Sequence, residues 1–287
     1  MELARPEYLV EADWLAAHAD DPALRILEAT VFLQREGDRL VRRSGRAEYE
    51  QGHLPGAAFA DLIEALSDPT SPFPFMLPPA EQFARVVGQL GVGNEHRVVC
   101  YDRAQGMWAT RLWWLFRVFG HEHVAVLNGG FQAWVAGGYP ISREPPPWPA
   151  TTFHARFVPA FLATKEEVCA AIGDGAVCTI NALAPKVHRG EVGGYARRGR
   201  IPGSVNVPAA TVFDPATGRL RPPEELRALF QAVGALERPR VITYCGGGIA
   251  ATADAFALTL LGHPNVAVYD GSLSEWTADP ALPLEIG

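Results

Sequence analysis

Two stretches of this chain, about 142 residues apart, repeat one another almost without gaps, and a repeat of that size constrains the fold more than any single motif. Arg97-Val98-Val99-Cys100-Tyr101 matches Arg240-Val241-Ile242-Thr243-Tyr244. Gly120-His121 followed by Val124-Ala125-Val126 matches Gly262-His263 followed by Val266-Ala267-Val268, after which Gly129 and Trp134 match Gly271 and Trp276. Earlier in each copy, Gly52-His53-Leu54-Pro55-Gly56 parallels Gly199-Arg200-Ile201-Pro202-Gly203. The 287 residues therefore divide into two copies of one unit, each long enough to bury its own core. Between them, Arg143-Glu144-Pro145-Pro146-Pro147-Trp148-Pro149 supports neither a helix nor a central strand and suits an extended, semi-rigid connector. The expected organisation is a first unit over 1–142, a connector over 143–152 and a second unit over 153–287.

Within each copy, short β-branched runs alternate with helical periodicity. Strands are expected near 25–29, 98–101 and 124–127, and again near 177–180, 241–244 and 266–269; helices are expected near 79–90, 108–119 and 249–261. This alternation defines an α/β class in which each unit is a mainly parallel sheet with helices on both faces. Ligands of such sheets bind beyond the carboxyl ends of the strands, which directs attention to the segments just after Tyr101 and Tyr244.

Charge narrows the classes of partner. Lys and Arg number 25 against 32 Asp and Glu, a formal charge of -7, which argues against coating nucleic acid or an anionic membrane. An anionic small substrate would need a local positive field. The start of the chain lacks a basic segment followed by an apolar core, and no run approaches the roughly 18 apolar residues of a membrane span, so a soluble, cytoplasmic protein is expected. Cys100, Cys169, Cys178 and Cys245 form no C-x-x-C pair, so neither a zinc site nor a disulfide framework is expected, and no metal or organic cofactor is implied.

After Tyr244 the chain reads Cys245-Gly246-Gly247-Gly248-Ile249-Ala250-Ala251: a strand end, a cysteine, three glycines and a helix start. Residues without Cβ let backbone N–H groups converge on one point, and the helix start adds unpaired donors with partial positive charge. Such a cradle suits a sulfur anion, the nucleophilic form of cysteine, and would hold a terminal persulfide equally well. Cys100 and Cys178 fall inside expected strands and Cys169 in a helical stretch, so these three read as packed thiols.

At these residues the chain resembles the two-domain rhodaneses, the thiosulfate and 3-mercaptopyruvate sulfurtransferase family. The resemblance runs through Gly52-His53-Leu54-Pro55-Gly56-Ala57, Asp68-Pro69-Thr70-Ser71-Pro72 with Met76-Leu77-Pro78, and Arg111-Leu112-Trp113-Trp114-Leu115-Phe116-Arg117 to Leu127-Asn128-Gly129-Gly130-Phe131. It continues in Ile201-Pro202-Gly203-Ser204-Val205-Asn206-Val207-Pro208, the Cys245 loop, and Tyr269-Asp270-Gly271-Ser272 with Glu275-Trp276. It implies tandem rhodanese-like domains, with catalysis by the second at the interface. Cys245 would be the nucleophile, and the backbone amides of Gly246, Gly247, Gly248, Ile249 and Ala250 would bind substrate. Asp102 stands where the first copy would carry the sulfur; it leaves that copy non-catalytic and reads as a cap or loop organiser.

Several positions depart from the family pattern. Thiosulfate-using members supply basic side chains after the cysteine and mercaptopyruvate users more often carry Gly-Ser-Gly-Val-Thr; here Gly246 and Gly247 are bare and Ala250 removes a hydroxyl. Asn181 and Leu183 stand where Asp-x-Arg is frequent, a substrate-binding arginine falls on Val187, and a histidine of mercaptopyruvate enzymes falls on Phe75. Replacement charge is expected from the cluster His188, Arg189, Arg197, Arg198 and Arg200, with Arg189 first and Arg197 next, since arginine clamps carboxylates and sulfonates through paired hydrogen bonds.

The expected activity is sulfur transfer from thiosulfate or a related small anionic donor, through a Cys245 persulfide, to cyanide or a thiol, for which a thioredoxin-like protein is one candidate. The alternatives are a 3-mercaptopyruvate sulfurtransferase and a non-enzymatic sulfur-carrier or regulatory module. A cysteine phosphatase is disfavoured because Ala251 occupies the arginine position of a Cys-x5-Arg loop. Because the duplication already supplies a domain interface, a monomer is expected.

Overall fold

The computed structural model describes residues 2–36 and 39–287. Its strands are β1 (Leu9–Val10), β2 (Leu24–Glu28), β3 (Val31–Glu36), β4 (Arg39–Ser44), β5 (Ala57–Phe59), β6 (Arg97–Tyr101), β7 (Val124–Leu127), β8 (Leu162–Ala163), β9 (Val177–Asn181), β10 (Val205–Asn206), β11 (Arg240–Tyr244) and β12 (Val266–Tyr269). The helices are α1 (Ala12–Ala17), α2 (Arg46–Gln51), α3 (Ala80–Gln89), α4 (Met107–Val118), α5 (Gly130–Ala136), α6 (Lys165–Ala171), α7 (Pro185–His188), α8 (Pro223–Gln231), α9 (Ala250–Leu260) and α10 (Ser272–Ala278).

The duplication is written into the topology. The first sheet runs β1-β7-β6-β2-β5 and the second β8-β12-β11-β9-β10, the same order in corresponding strands, with every pairing parallel. Strands β2, β7 and β12 are buried at every position rather than at alternate ones, because helices cover both faces of each sheet. Covering helices such as α3 are amphipathic: Phe83, Val86 and Val87, at i, i+3 and i+4, face the sheet.

Helices α4 and α9 are different, since almost every side chain of each is buried. They are corresponding helices, and they pack on each other across the two units. The Trp113 and Phe256 rings meet edge-on at 4.9 Å, and the hydroxyls of Thr110 and Thr252, themselves a repeat-related pair, share a hydrogen bond of 3.0 Å. A helix apolar on all sides finds a second buried face only at such an interface. The carboxyl ends of β6 and β11, which precede these helices, are thereby brought to the domain boundary.

The connector is extended, as its prolines dictate, and it is also strapped to the first unit. The Trp148 indole donates to the Gly56 carbonyl at 3.0 Å and lies under the Arg25 guanidinium at 4.0 Å, while the Thr151 amide donates to the Gly88 carbonyl. The antiparallel hairpin β3–β4 breaks the symmetry of the repeat and was not among the elements expected from the sequence. It brings the Arg42 guanidinium over the Phe75 ring at 5.4 Å.

One buried group makes stability depend on pH. His121 is 3% exposed among Phe116 and Phe153, its Nε2 has no hydrogen-bond partner among the described residues, and burial, with His123 and His96 nearby, pushes its pKa down to about 4. The unfolded chain binds a proton near the ordinary histidine value while the folded chain refuses it. The neutral imidazole's contribution is therefore complete above that value and is lost as pH falls from about 6.5 toward 4, by up to ~3 kcal/mol. Thermal melts across that window should show this acid loss in the wild type and a shallower one in His121→Phe.

Candidate active site

Strand β11 ends at Tyr244, whose hydroxyl accepts from the Asn181 side chain at 3.0 Å and the Ile201 amide at 3.1 Å and is bonded to the Ser204 hydroxyl. This network fixes the strand end. It also gives Asn181 a use that needs no charge. Cys245 follows, only 2% exposed, and the chain turns through Gly246-Gly247-Gly248 into α9.

The loop is held from one side by the start of α10. The Ser272 hydroxyl accepts from the Cys245 amide at 3.0 Å and the Gly248 amide at 3.2 Å, and donates to the Tyr269 carbonyl. Ser272 sits at φ 49, in the left-handed region where the first copy places Gly130 at φ 54. A serine there costs about 1 kcal/mol of backbone strain, which its three hydrogen bonds offset. The Gly246 carbonyl accepts from both the amide and the hydroxyl of Ser274.

On the other side the donors are open. Among the described residues nothing accepts the N–H groups of Gly246, Gly247, Ile249, Ala250 and Ala251. The first copy shows what such a loop binds. Its Asp102 carboxylate accepts from the amides of Ala104, Gly106, Trp108 and Ala109 at 2.7 to 3.0 Å. Burial raises the Asp102 pKa, and these four N–H groups oppose that rise. An Asp oxygen lies two bonds beyond Cβ, as the outer sulfur of a cysteine persulfide does. Asp102 is thus a built-in likeness of the charged persulfide, and Ala250 and Ala251, the counterparts of Trp108 and Ala109, are unpaired because no such carboxylate fills their loop.

The other unit closes the site. Arg111 of α4, 1% exposed, pairs with Asp270 at 2.5 Å, donates to the Gly248 carbonyl at 3.3 Å and reaches the Phe75 carbonyl. Asp270 in turn accepts from the Leu77 amide at 2.6 Å, and its repeat counterpart Asn128 accepts from the Leu220 amide at 2.8 Å. Gly248, at φ 75, lies so close to this pair that a Cβ there would meet the Asp270 carbonyl oxygen at 2.9 Å and Arg111 Nη1 at 3.0 Å. The sequence reading missed this clamp, although both residues fall in segments that carry the family resemblance. Phe75, at the histidine position, contributes its carbonyl and packs its ring at a tilt of 54° against Trp108, 5.2 Å between centroids.

The basic cluster does not gather around Cys245 as one field. Arg197 donates to the carbonyls of Thr277, Leu282, Trp276 and Asp279, so its guanidinium satisfies the end of α10 and the chain beyond it. Four of the five N–H groups of Arg197, expected from the sequence as a substrate clamp, are thereby used within the protein. Arg200 is paired with Glu285, and His188 beside them is pushed down to about 4, chiefly by burial and then by Arg200, so it is uncharged near neutral pH. Arg189 is an exposed ion pair with Glu191 at 2.6 Å. The residue of this segment that reaches the loop is Tyr195, whose hydroxyl stands over Gly246. The other thiols are unsuited to nucleophilic work, since burial raises the pKa of Cys100 well above normal, that of Cys178 to about 11 and that of Cys169 more modestly.

The sequence profile of the rhodanese-like domain matches residues 11–137 and 186–279. The chain is 38% identical over 281 residues to a 3-mercaptopyruvate sulfurtransferase of Escherichia coli K12, covering 97% of this chain and 98% of the relative. It is 40% identical over 281 residues to a thiosulfate sulfurtransferase of Rattus norvegicus, covering 93% and 91%. The crystal structure of SseA from Escherichia coli, a 3-mercaptopyruvate sulfotransferase, superposes with a TM-score of 0.83 at 36% identity over 92% of this chain and 98% of that one. The protein belongs to the rhodanese-like domain family, in its two-domain form, and is an enzyme of the rhodanese sulfurtransferase type. No helix among the described residues is long and apolar enough to cross a membrane.

Proposed function

We propose that the enzyme takes sulfur from 3-mercaptopyruvate, carries it as a Cys245 persulfide and passes it to a thiol or cyanide. The observation that carries this reading is the Cys245 loop itself: a cysteine followed by a loop whose Gly246, Gly247, Ile249, Ala250 and Ala251 amides have no acceptor among the described residues and which carries no cationic side chain. Backbone dipoles suit a singly charged carboxylate donor better than thiosulfate, whose two charges call for side-chain cations. The full-length likeness to 3-mercaptopyruvate sulfurtransferases supports the same donor.

In the first half-reaction the Cys245 thiolate attacks the donor sulfur, the C–S bond breaks and its electron pair leaves with the three-carbon fragment as the enolate of pyruvate. The outer sulfur then takes up the unpaired Ala250 and Ala251 amides, as the Asp102 carboxylate takes up those of Trp108 and Ala109 in the first copy. Attack by the acceptor on that sulfur restores the thiolate. Two half-reactions through a covalent intermediate give parallel double-reciprocal lines. With cyanide as acceptor, kcat/KM for 3-mercaptopyruvate should exceed that for thiosulfate by about tenfold or more, equivalent to ~1.4 kcal/mol of differential transition-state binding. The opposite preference would return the thiosulfate reading, and negligible turnover with both would point to a sulfur-carrier module.

A further inference from the structure

The bare loop and Tyr195 are two halves of one arrangement. A Cβ on Gly246 would collide with the Tyr195 hydroxyl oxygen and lie 2.9 Å from Cζ, so the tyrosine fills the space that a side chain at this loop position would take. Gly193 and Gly194 precede it, and the ring rests against the apolar cluster of the second unit. Among the described residues its hydroxyl has no hydrogen-bond partner. Burial, and then the charge of Cys245, raise the Tyr195 pKa, so the phenol keeps its proton near neutral pH.

We propose that Tyr195 is the proton donor of the sulfur-loading step, delivering its phenolic proton to the pyruvate enolate as the C–S bond of 3-mercaptopyruvate breaks. This role rests on the 3-mercaptopyruvate activity proposed for Cys245 and extends it to the fate of the proton. The balance closes without a further reactant. The donor enters as a thiol, its sulfur becomes the outer atom of Cys245–S–SH, and the enolate takes the tyrosine proton to become pyruvate. The phenolate recovers a proton from the persulfide S–H, leaving Cys245–S–S⁻ for the amide cradle. The pyruvate methyl group thus receives the tyrosine proton, and the donor's thiol hydrogen replaces it on Tyr195. Thiosulfate needs none of this, because its leaving group, sulfite, is stable as an anion.

The test is single-turnover loading of the intact enzyme, read by mass spectrometry as the gain of one sulfur, with 3-mercaptopyruvate and with thiosulfate or inorganic tetrasulfide, neither of which leaves a carbanion. Tyr195→Phe should load from 3-mercaptopyruvate about 10²-fold more slowly, while loading from the sulfane donors changes less than ~3-fold. Equal losses with both donor types, or no loss with either, in a variant that melts like the wild type, would overturn the proposal. A wild type that loads from none of the donors would instead overturn the function on which it rests.

Discussion

Replacing Cys245 by serine is expected to leave a folded protein that gains no sulfur from any donor and whose turnover falls at least ~10³-fold. The exchange is nearly isosteric at a site only 2% exposed, and the shorter Ser272 and Ser274 bonds that shape the loop go to backbone atoms, the Ser272 hydroxyl lying 4.0 Å from the Cys245 sulfur. Folding should therefore survive while the chemistry does not, because an alcohol cannot hold sulfane sulfur. Intact mass after donor treatment, then after addition of cyanide, measures this directly. The remaining thiols provide an internal check. Cys100 and Cys178 are buried and held protonated, so sulfur uptake by the variant would have to come from Cys169, whose thiol is the least enclosed of the three. Uptake at the wild-type rate would remove Cys245 from the mechanism.

The features legible in the sequence are those that a linear pattern can encode. The three strands expected in each copy were found, in corresponding places of two parallel sheets, because β-branched runs ending in polar or glycine-rich turns mark buried parallel strands whatever their tertiary setting. The Cys245 loop was legible for the same reason: strand, glycines and helix start are contiguous. The basic cluster misled because a count of charges along the chain omits their acceptors. The carbonyls that occupy Arg197 lie 79 to 85 residues away at the end of α10, and the Glu285 that pairs with Arg200 lies near the C-terminus. Tyr195 was missed within the same segment because nothing local distinguishes a surface tyrosine from one folded over a glycine 51 positions later. Its trace in the sequence was the loss of a side chain at Gly246, which reads as an absence until the partner is seen.

Arg111→Met should destabilise the protein by about 3–5 kcal/mol, the cost of leaving a buried charge without its partner. Among the described residues the Asp270 carboxylate would keep only the Leu77 amide as a hydrogen-bond partner, and the Gly248 and Phe75 carbonyls would lose a donor. Because Arg111 and Phe75 belong to the first unit while Asp270 and Gly248 belong to the second, the loss falls on the interface and on the loop together. Activity measured below the melting transition should drop as well. Asp270→Asn in the Arg111→Met background removes the stranded charge but keeps an acceptor for Leu77, so it should recover part of the loss. A double-mutant cycle by urea denaturation should give a coupling above ~1 kcal/mol. The contrast with Arg189–Glu191 sharpens the test. That pair is 44% and 47% exposed, is screened by salt and should contribute less than ~1 kcal/mol, whereas the Arg111–Asp270 coupling should hardly change in high salt. A coupling that salt abolishes would mean that water reaches the pair and that the two units meet more loosely at the site.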